Sequence, residues 1–280
     1  MSRFGILGLV IAAWACLGAS MVQAKTWPAD YADEARFIVP AHALAECCPR
    51  PSWWDQVEGP HIETREDFHD VWRSKDLSDR QKAKAMFRAI GDKIGVDDEI
   101  ASLAINYYQS VDRDYPHITA LKELGVSRYF ALDRDQSNYS GGVGDTSAGL
   151  VNGLARLYLK AGRAEDAAGL IIRLILERGH EINPHLKERA SLLMVDALRK
   201  QGRQAEAVGV INYALKTYDG SWEKALIKAR DELKTALGWR YYLAAGWLPY
   251  LAAILFAFLA VLAMLYTLHS RRQKQTALNT

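Results

Sequence analysis

The stretch 156–167 reads Arg-Leu-Tyr-Leu-Lys-Ala-Gly-Arg-Ala-Glu-Asp-Ala, and the stretch 197–207 reads Ala-Leu-Arg-Lys-Gln-Gly-Arg-Gln-Ala-Glu-Ala. Around them, large and small apolar residues recur with the same internal spacing, and the two sets stand 40 residues apart. The equivalent pairs are Leu154 and Met194, Ala155 and Val195, Tyr158 and Leu198, Gly162 and Gly202, Ala167 and Ala207, and Ile171 and Ile211. Each set predicts a helix, a tight turn at Gly-Arg and a second antiparallel helix. Generic antiparallel helical pairs would produce much of the same pattern.

The two units resemble tetratricopeptide repeats, and the best-matching ranges are 147–179 and 187–219. The resemblance implies helical hairpins stacked side by side in a solenoid. This chain departs from the family pattern in three ways. Val151 and Ser191 stand where the family often has Trp, and Leu174 stands where Ala is usual. The repeat is also longer than the usual length of about 34 residues. The extra residues are expected around His180–Pro184.

Helical periodicity extends on both sides of these units, and no stretch alternates as a strand would. The sequence predicts helices over 79–94 and 97–111, the first preceded by a capping box of Ser78 and Gln81. A shorter helix is expected over 117–124, and Ser221–Trp239 is expected to cap the stack. We therefore predict an all-α fold of stacked antiparallel hairpins over residues 78–238.

The N-terminal residues have the pattern of a secretory signal peptide over 1–24. Arg3 precedes an apolar stretch, and Val22-Gln23-Ala24 places small residues where signal peptidase cleaves. A lipoprotein signal at Cys16 and an uncleaved anchor are the alternatives. The proline-rich residues 25–77 that follow are expected to form an irregular N-terminal segment.

The C-terminal part predicts one transmembrane helix over 241–269. No Asp, Glu, Lys or Arg occurs from Tyr241 to Ser270. A helix over 243–268 would be roughly 39 Å long, enough to cross a hydrocarbon core of about 30 Å. Basic residues follow in the tail 270–280, which the positive-inside rule places in the cytoplasm. The sequence thus predicts a single-pass protein of the bacterial inner membrane with its N-terminal domain in the periplasm.

The charges of the exported part are nearly balanced. The chain of 280 residues has a formal net charge of +2, and 31 basic and 33 acidic residues lie between Lys25 and Arg240. Such a balance lacks the basic field that nucleic-acid binding requires. No arrangement of a nucleophile with an acid and a base indicates a hydrolase. We therefore expect a protein that is not an enzyme, uses no cofactor and does not bind nucleic acid.

The family resemblance implies that the protein binds a protein or peptide partner in the cell envelope, as a scaffold or assembly factor. In stacked hairpins the first helices line a shared concave groove. The residues expected to bind a partner on that surface are Asn152, Arg156, Tyr158, Lys187, Ser191 and Arg199.

Cys47 and Cys48 support a second hypothesis, that of a metal or redox accessory factor serving a membrane enzyme. They are adjacent in sequence, so a disulfide between them would close a strained ring. The other uses are a disulfide to another molecule and binding of a soft metal together with His42, His61 or His69. No Cys-x-x-Cys spacing supports the metal site, and a purely structural role for both cysteines stays open.

Overall fold

The computed structural model describes residues 25–42, 50–92, 98–111, 117–131, 143–219 and 221–245, with shorter stretches at 254–255, 257–263 and 265–266. Within these residues the chain is all-α and contains no β-strand. The α-helices are α1 (Arg65–Arg73), α2 (Asp79–Asp92), α3 (Asp98–Val111), α4 (Ile118–Ala131), α5 (Val143–Lys160), α6 (Ala164–Arg178), α7 (Pro184–Lys200), α8 (Gln204–Thr217), α9 (Glu223–Leu237) and α10 (Trp239–Ala244). Short 3₁₀-helices span Ala29–Arg36, Trp54–Gln56 and Gly179–Glu181. The expected signal peptide at 1–24 and the tail at 270–280 lie outside the described residues.

Helices α5 and α6 form one hairpin, and α7 and α8 form the next, as the repeated pattern predicts. Each hairpin turns at a glycine with a positive φ, +79° at Gly162 and +76° at Gly202. The N–H of Gly162 donates to the carbonyl of Leu159 at 3.3 Å, and the N–H of Arg163 donates to the carbonyl of Tyr158 at 2.9 Å. The turn at Gly202 repeats both bonds at 3.1 and 2.8 Å. This is the Schellman arrangement, which satisfies the last carbonyls of a helix and requires the left-handed conformation that glycine adopts without strain.

The repeated apolar positions form the centre of the core. Apart from the two turn glycines, every residue of the pairs that repeat between the hairpins is fully buried, at 0% exposure. The pattern therefore predicted the core of this region correctly. At Ala167 and Ala207 the side chain is a single methyl group, so each second helix can lie close against the first helix of its own hairpin.

The hairpins stack so that their first helices lie side by side. Helix α5 packs against α7, and α7 packs against α9, while α6 packs between α5 and α7. On the N-terminal side, α3 packs against α2 and continues the row to α5. This arrangement is compatible with a helical-repeat solenoid, because each element contacts its neighbours in sequence. The 3₁₀-turn Gly179–Glu181 lies where the extra residues of the longer repeat were expected.

Two helices differ from the sequence prediction: α4 is longer than predicted, and α1 was not predicted at all. Helix α4 runs to Ala131, well beyond the predicted end at residue 124. It is buried over most of its circumference, so no apolar stripe marks its length in the sequence. Helix α1 lies within the segment predicted to be irregular. Thr64 and Asp67 form a capping box at its start, with Thr64 Oγ1 accepting from the Asp67 N–H at 3.1 Å.

The N-terminus of α2 is capped as predicted. The Ser78 N–H donates to the side-chain oxygen of Gln81 at 2.9 Å, and the Gln81 N–H donates to Ser78 Oγ at 3.4 Å. Helix α9 likewise begins close to its expected start, and Leu226 and Leu233 on its predicted apolar face are fully buried. Helix α9 therefore covers α8 at the end of the stack.

The segment Lys25–His42 packs across the second helices of the hairpins. Its 3₁₀-helix Ala29–Arg36 lies along α6, where Gly169 leaves room for Phe37. At the end of the segment near α8, the Lys25 carbonyl lies beside Gly209. Gly169 and Gly209 are equivalent positions of the two repeats, so the segment passes over the same glycine position in both hairpins.

Within the part of the chain that the structure describes, no helix combines the length and the apolar character needed to cross a membrane. This finding does not support the predicted span over 241–269. Of that range, residues 241–245, 254–255, 257–263 and 265–266 are described, and the rest lies outside the description.

Candidate partner-binding groove

A groove of about 810 Å³ opens along the first helices of the two hairpins. Helix α5 forms one wall, α7 forms the other, and Trp222, just before α9, closes one side. The lining residues are Arg156, Leu159, Lys160, Arg189, Leu192, Leu193, Asp196, Arg199, Lys200, Gln204 and Trp222. Its size lies within the range of about 300–1,000 Å³ typical of ligand pockets.

The groove is lined mainly by positive charge. Five of its side chains are cationic, and Asp196 is its single carboxylate. Only Arg199 has a close ion pair, from its Nη1 to Glu232 Oε2 at 3.1 Å. Among the described residues, no carboxylate lies within 4.0 Å of the other four cations, which are Arg156, Lys160, Arg189 and Lys200. The groove therefore presents a net positive charge, which Asp196 offsets only in part.

Like charges lie close to each other in the groove. Burial lowers the pKa of the Arg189 guanidinium below its ordinary value, and the positive charge of Arg156 acts in the same direction. Partial burial raises the pKa of Asp196, while the attraction of Arg199 opposes that rise. The Arg189 guanidinium is half-buried, so water screens its charge less than it screens an ordinary surface charge.

An apolar surface lies between the cations. Leu159 and Leu193 are each 6% exposed, and Leu192 is half-buried beside them. The backbone N–H of Trp222 donates to Glu188 Oε2 at 2.9 Å, which holds the main chain at this residue in place. The Arg189 guanidinium lies 5.9 Å from the Trp222 ring centroid, within the range of a cation–π contact. The groove thus combines a cationic rim with leucine and indole surface.

Two of the six predicted partner-binding residues line this groove. Arg156 projects from α5 and is exposed, and Arg199 projects from α7 between this groove and a second, shallower depression along α9. Lys187 does not line either one. It is half-buried, and its ammonium lies 5.9 Å from the Tyr218 ring centroid.

The other three predicted residues are fully buried, so they do not lie on the expected surface. The Asn152 amide donates to the Leu186 carbonyl at 3.4 Å, and the Ser191 hydroxyl donates to the Lys187 carbonyl at 2.9 Å. The Tyr158 hydroxyl donates to Glu123 at 2.7 Å. These residues stand on the faces of α5 and α7 that pack against neighbouring helices, which removes them from solvent.

Sequence reasoning missed Lys160, Arg189 and Lys200. The signal that indicates them is helical spacing: Lys160 stands four residues after Arg156, and Arg189, Asp196 and Lys200 follow one face of α7. Such spacing shows that the residues share a face. It does not show that this face borders a groove, because that depends on how α5 and α7 are rotated relative to each other.

The opposite side of the hairpins is already occupied by the chain itself. Arg203, at the start of α8, makes two bonds of 2.7 Å to the carboxylate of Glu34 in the N-terminal segment. Ala35 and Phe37 of that segment pack against the core. The segment therefore covers part of the α6 and α8 face, whereas the groove lies on the first helices.

Glu123 on α4 joins three parts of the fold. Its side chain is 7% exposed, and it accepts from the Tyr158 hydroxyl and lies 3.4 Å from Arg163 Nη1. Those two contacts involve Glu123 Oε1, and the second carboxylate oxygen, Oε2, lies 2.7 Å from His42 Nε2. Burial raises the pKa of Tyr158, and the bond to Glu123 raises it further. Glu123 therefore links the N-terminal segment to the first hairpin.

The predicted metal or redox site is only partly within the described chain. Cys47 and Cys48 lie outside the described residues. His42 has one ring nitrogen engaged by Glu123. Among the residues that the structure describes, no group of three or more His, Cys, Asp and Glu side chains is arranged to hold a metal ion.

Comparison of the chain with known proteins found no matching family model, no similar curated protein and no similar solved structure.

Proposed function

We propose that this protein is a membrane-anchored scaffold or assembly factor that faces the periplasm and binds a protein partner of an envelope complex. The observation that carries the proposal is the groove between α5 and α7. It lies on the first helices of the stacked hairpins, the surface on which tetratricopeptide-like hairpins are expected to bind peptides. The proposal gives the protein no catalytic role and no cofactor.

The near-identity of the two hairpin turns supports a repeat of the tetratricopeptide kind. Arg163 Nε donates to Asp166 at 2.6 Å, and Arg203 Nε donates to Glu206 at 2.8 Å. Both arginines follow a left-handed glycine and precede the second helix. A duplicated hairpin is expected to repeat its backbone and side-chain hydrogen bonds at a fixed offset along the sequence. Two unrelated helical pairs would have no reason to share them.

The membrane anchor and its orientation rest on the sequence. The absence of Asp, Glu, Lys and Arg from Tyr241 to Ser270, followed by Arg271 and Arg272, supports a span with a cytoplasmic tail. Helix α10 begins two residues after α9 ends, so such an anchor would hold the stack close to the bilayer.

Crosslinking in native membranes tests the scaffold. A C-terminally tagged full chain is crosslinked, purified and analysed by mass spectrometry, beside a variant with Arg156→Glu and Arg199→Glu and a control with Lys216→Glu. Lys216 is an exposed lysine of α8, away from the groove. We expect one stoichiometric membrane partner with the wild type and the control, and its loss with the double variant at an unchanged melting temperature. Recovery of the wild-type chain alone would contradict the proposal.

Protease accessibility tests the orientation. We expect external protease to digest the helical domain in spheroplasts and to spare it in intact cells. Digestion that begins only after the inner membrane is lysed would place the domain in the cytoplasm and contradict the proposal.

A further inference from the structure

We infer that the groove between α5 and α7 binds an acidic polypeptide segment that inserts an apolar side chain between its cations. The inference rests on the proposed function, because it specifies the chemistry of the partner. It is independent of which envelope complex that partner belongs to.

The first support is the charge of the groove. Arg156, Lys160, Arg189 and Lys200 meet in one depression, and within the described chain none of them has a carboxylate at salt-bridge distance. Of these cations, Arg156 and Arg189 repel each other, and an anionic ligand would relieve that repulsion. A segment carrying several Asp or Glu side chains supplies that charge along the length of the groove.

The second support is the arginine beside the tryptophan. The Arg189 Nε atom is buried without a hydrogen-bond partner in the structure, and its guanidinium lies over the Trp222 ring. Arginine and tryptophan are the residues that most often dominate binding energy at protein interfaces. A carboxylate entering beside Trp222 would meet this planar donor group, whose geometry suits bidentate pairing.

The third support separates a peptide from other anionic ligands. The half-buried apolar side chains among its charges are Leu192 and Trp222, with the buried Leu159 and Leu193 behind them. Inorganic phosphate has no apolar group to place there, whereas a peptide carries acidic and apolar side chains on one chain. The exported region as a whole carries slightly more acidic than basic residues, so the positive charge is local to the groove. Nucleic-acid binding requires a more extended basic surface.

Binding to defined probes tests the inference. The full chain in detergent is titrated with a fluorescent peptide that repeats Glu-Glu-Leu-Leu, so that each face of the extended chain carries both residues. The companion peptides replace every Glu by Gln, or every Leu by Ser. The protein variants are Arg156→Glu with Lys160→Glu, two exposed positions of α5, and the control Lys216→Glu. A further variant, Arg189→Met, removes the charge beside Trp222 and keeps much of the side-chain length.

We expect the Glu–Leu peptide to bind the wild type and the control equally. The α5 double variant and Arg189→Met should each weaken binding by about tenfold or more, with circular dichroism unchanged. Both companion peptides should bind more weakly, and salt should weaken the Glu–Leu peptide most. Equal binding of the Gln peptide, or no binding of the Glu–Leu peptide to the wild type, would overturn the inference.

Two further probes address the competing ligands. Vesicles containing phosphatidylglycerol and a single-stranded oligonucleotide are titrated under the same conditions. If either binds in a manner lost in the α5 double variant while the acidic peptide does not bind, the inference is wrong and the groove recognises phosphate. If the native partner is captured by crosslinking while the acidic peptide fails to bind, the scaffold proposal stands and this inference falls. If no partner is captured, the peptide titration still decides the inference.

Discussion

Arg203 and Glu34 form a two-bond ion pair, with both nitrogen–oxygen distances at 2.7 Å, between residues 169 positions apart in the sequence. The same guanidinium also bonds to both oxygens of Glu206, at 2.8 Å from Nε and 2.7 Å from Nη2. It therefore joins the second hairpin to the N-terminal segment. Arg163, its equivalent in the first hairpin, contacts Glu123 on α4 instead.

Replacing Glu34 by Gln should loosen the N-terminal segment. The change removes the charge that Arg203 pairs with while keeping the size of the side chain, and the pair is only partly exposed. We expect the free energy of unfolding to fall by about 1–2 kcal/mol, as measured by urea denaturation. The control is Asp33→Asn, whose carboxylate is 92% exposed in its pair with Arg36. A loss as large in the control as in Glu34→Gln would show that the pair with Arg203 contributes nothing specific.

Replacing Gly169 by Ala should displace the same segment by overpacking. An added Cβ at Gly169 would lie 2.6 Å from Phe37 Cβ and 3.0 Å from the Glu34 carbonyl oxygen, and neither atom belongs to a flexible side-chain end. We expect a loss of about 1–3 kcal/mol and faster hydrogen exchange over the 3₁₀-helix Ala29–Arg36. The matched control is Gly209→Ala, at the equivalent position of the second hairpin, where the added Cβ meets only the Lys25 carbonyl at 3.6 Å. Unchanged exchange in Gly169→Ala would mean that the segment does not pack on α6 as described.

Replacing Gly202 by Ala should strain the turn between α7 and α8. The φ of +76° is costly for a residue with a Cβ, although nothing lies within 4 Å of the added atom. We expect a loss of roughly 1–2 kcal/mol in thermal or urea unfolding, and the same for Gly162→Ala. Gly149→Ala is a control in which the free energy of unfolding is expected to rise rather than fall. That glycine lies within α5 with open space around it, and alanine there should stabilise by up to about 1 kcal/mol.

Lys122 should make the protein more stable as the pH rises from 7 to 9.5. Burial lowers the pKa of this lysine to about 8, and the positive charge of Arg189 acts in the same direction. Below pH 8 both states carry the proton, and the folded state bears the full cost of the buried charge. Between about pH 8 and 10.5 the unfolded state binds more protons than the folded state, so stability rises with pH. We expect this one group to contribute a gain of about 2 kcal/mol over the measured range. Buried tyrosines with raised pKa values, such as Tyr158, act in the opposite direction as the pH approaches 10, so the contribution of Lys122 is the difference from the variant Lys122→Met.

The variant Lys122→Met checks that assignment. It removes the titrating group and the bond from Lys122 Nζ to Asn106 Oδ1 at 3.2 Å, and it nearly conserves volume. We expect its stability at pH 7 to equal or exceed that of the wild type, because the change removes a buried charge that has no carboxylate partner among the described residues. Urea denaturation at several pH values gives the difference between the two proteins. A difference that stays constant from pH 7 to 9.5 would contradict the lowered pKa.

The turns at Gly162 and Gly202 show best what could be predicted from the sequence. A helix, its glycine stop and the apolar positions on either side are local features, spaced by three or four residues, so the pattern predicted both hairpins and their buried residues. The same reasoning predicted the start of α4 but ended the helix seven residues too early, at 124 rather than Ala131, because a helix buried on most sides has no contrast between its faces. It also missed the capping box at Thr64 and Asp67, where the helix is short and polar.

The sequence by itself determined that this chain is built from helical hairpins, where two of them turn, and which side chains fill the space between them. The tertiary structure alone decided that Asn152 and Ser191 are buried, that Tyr158 bonds to Glu123, that Arg189 lies near Arg156 in a groove, and that Glu34 pairs with Arg203. The reason is geometric. Helical periodicity tells which residues share a face, but the partner of that face is set by the rotation and stacking of helices far apart in the sequence.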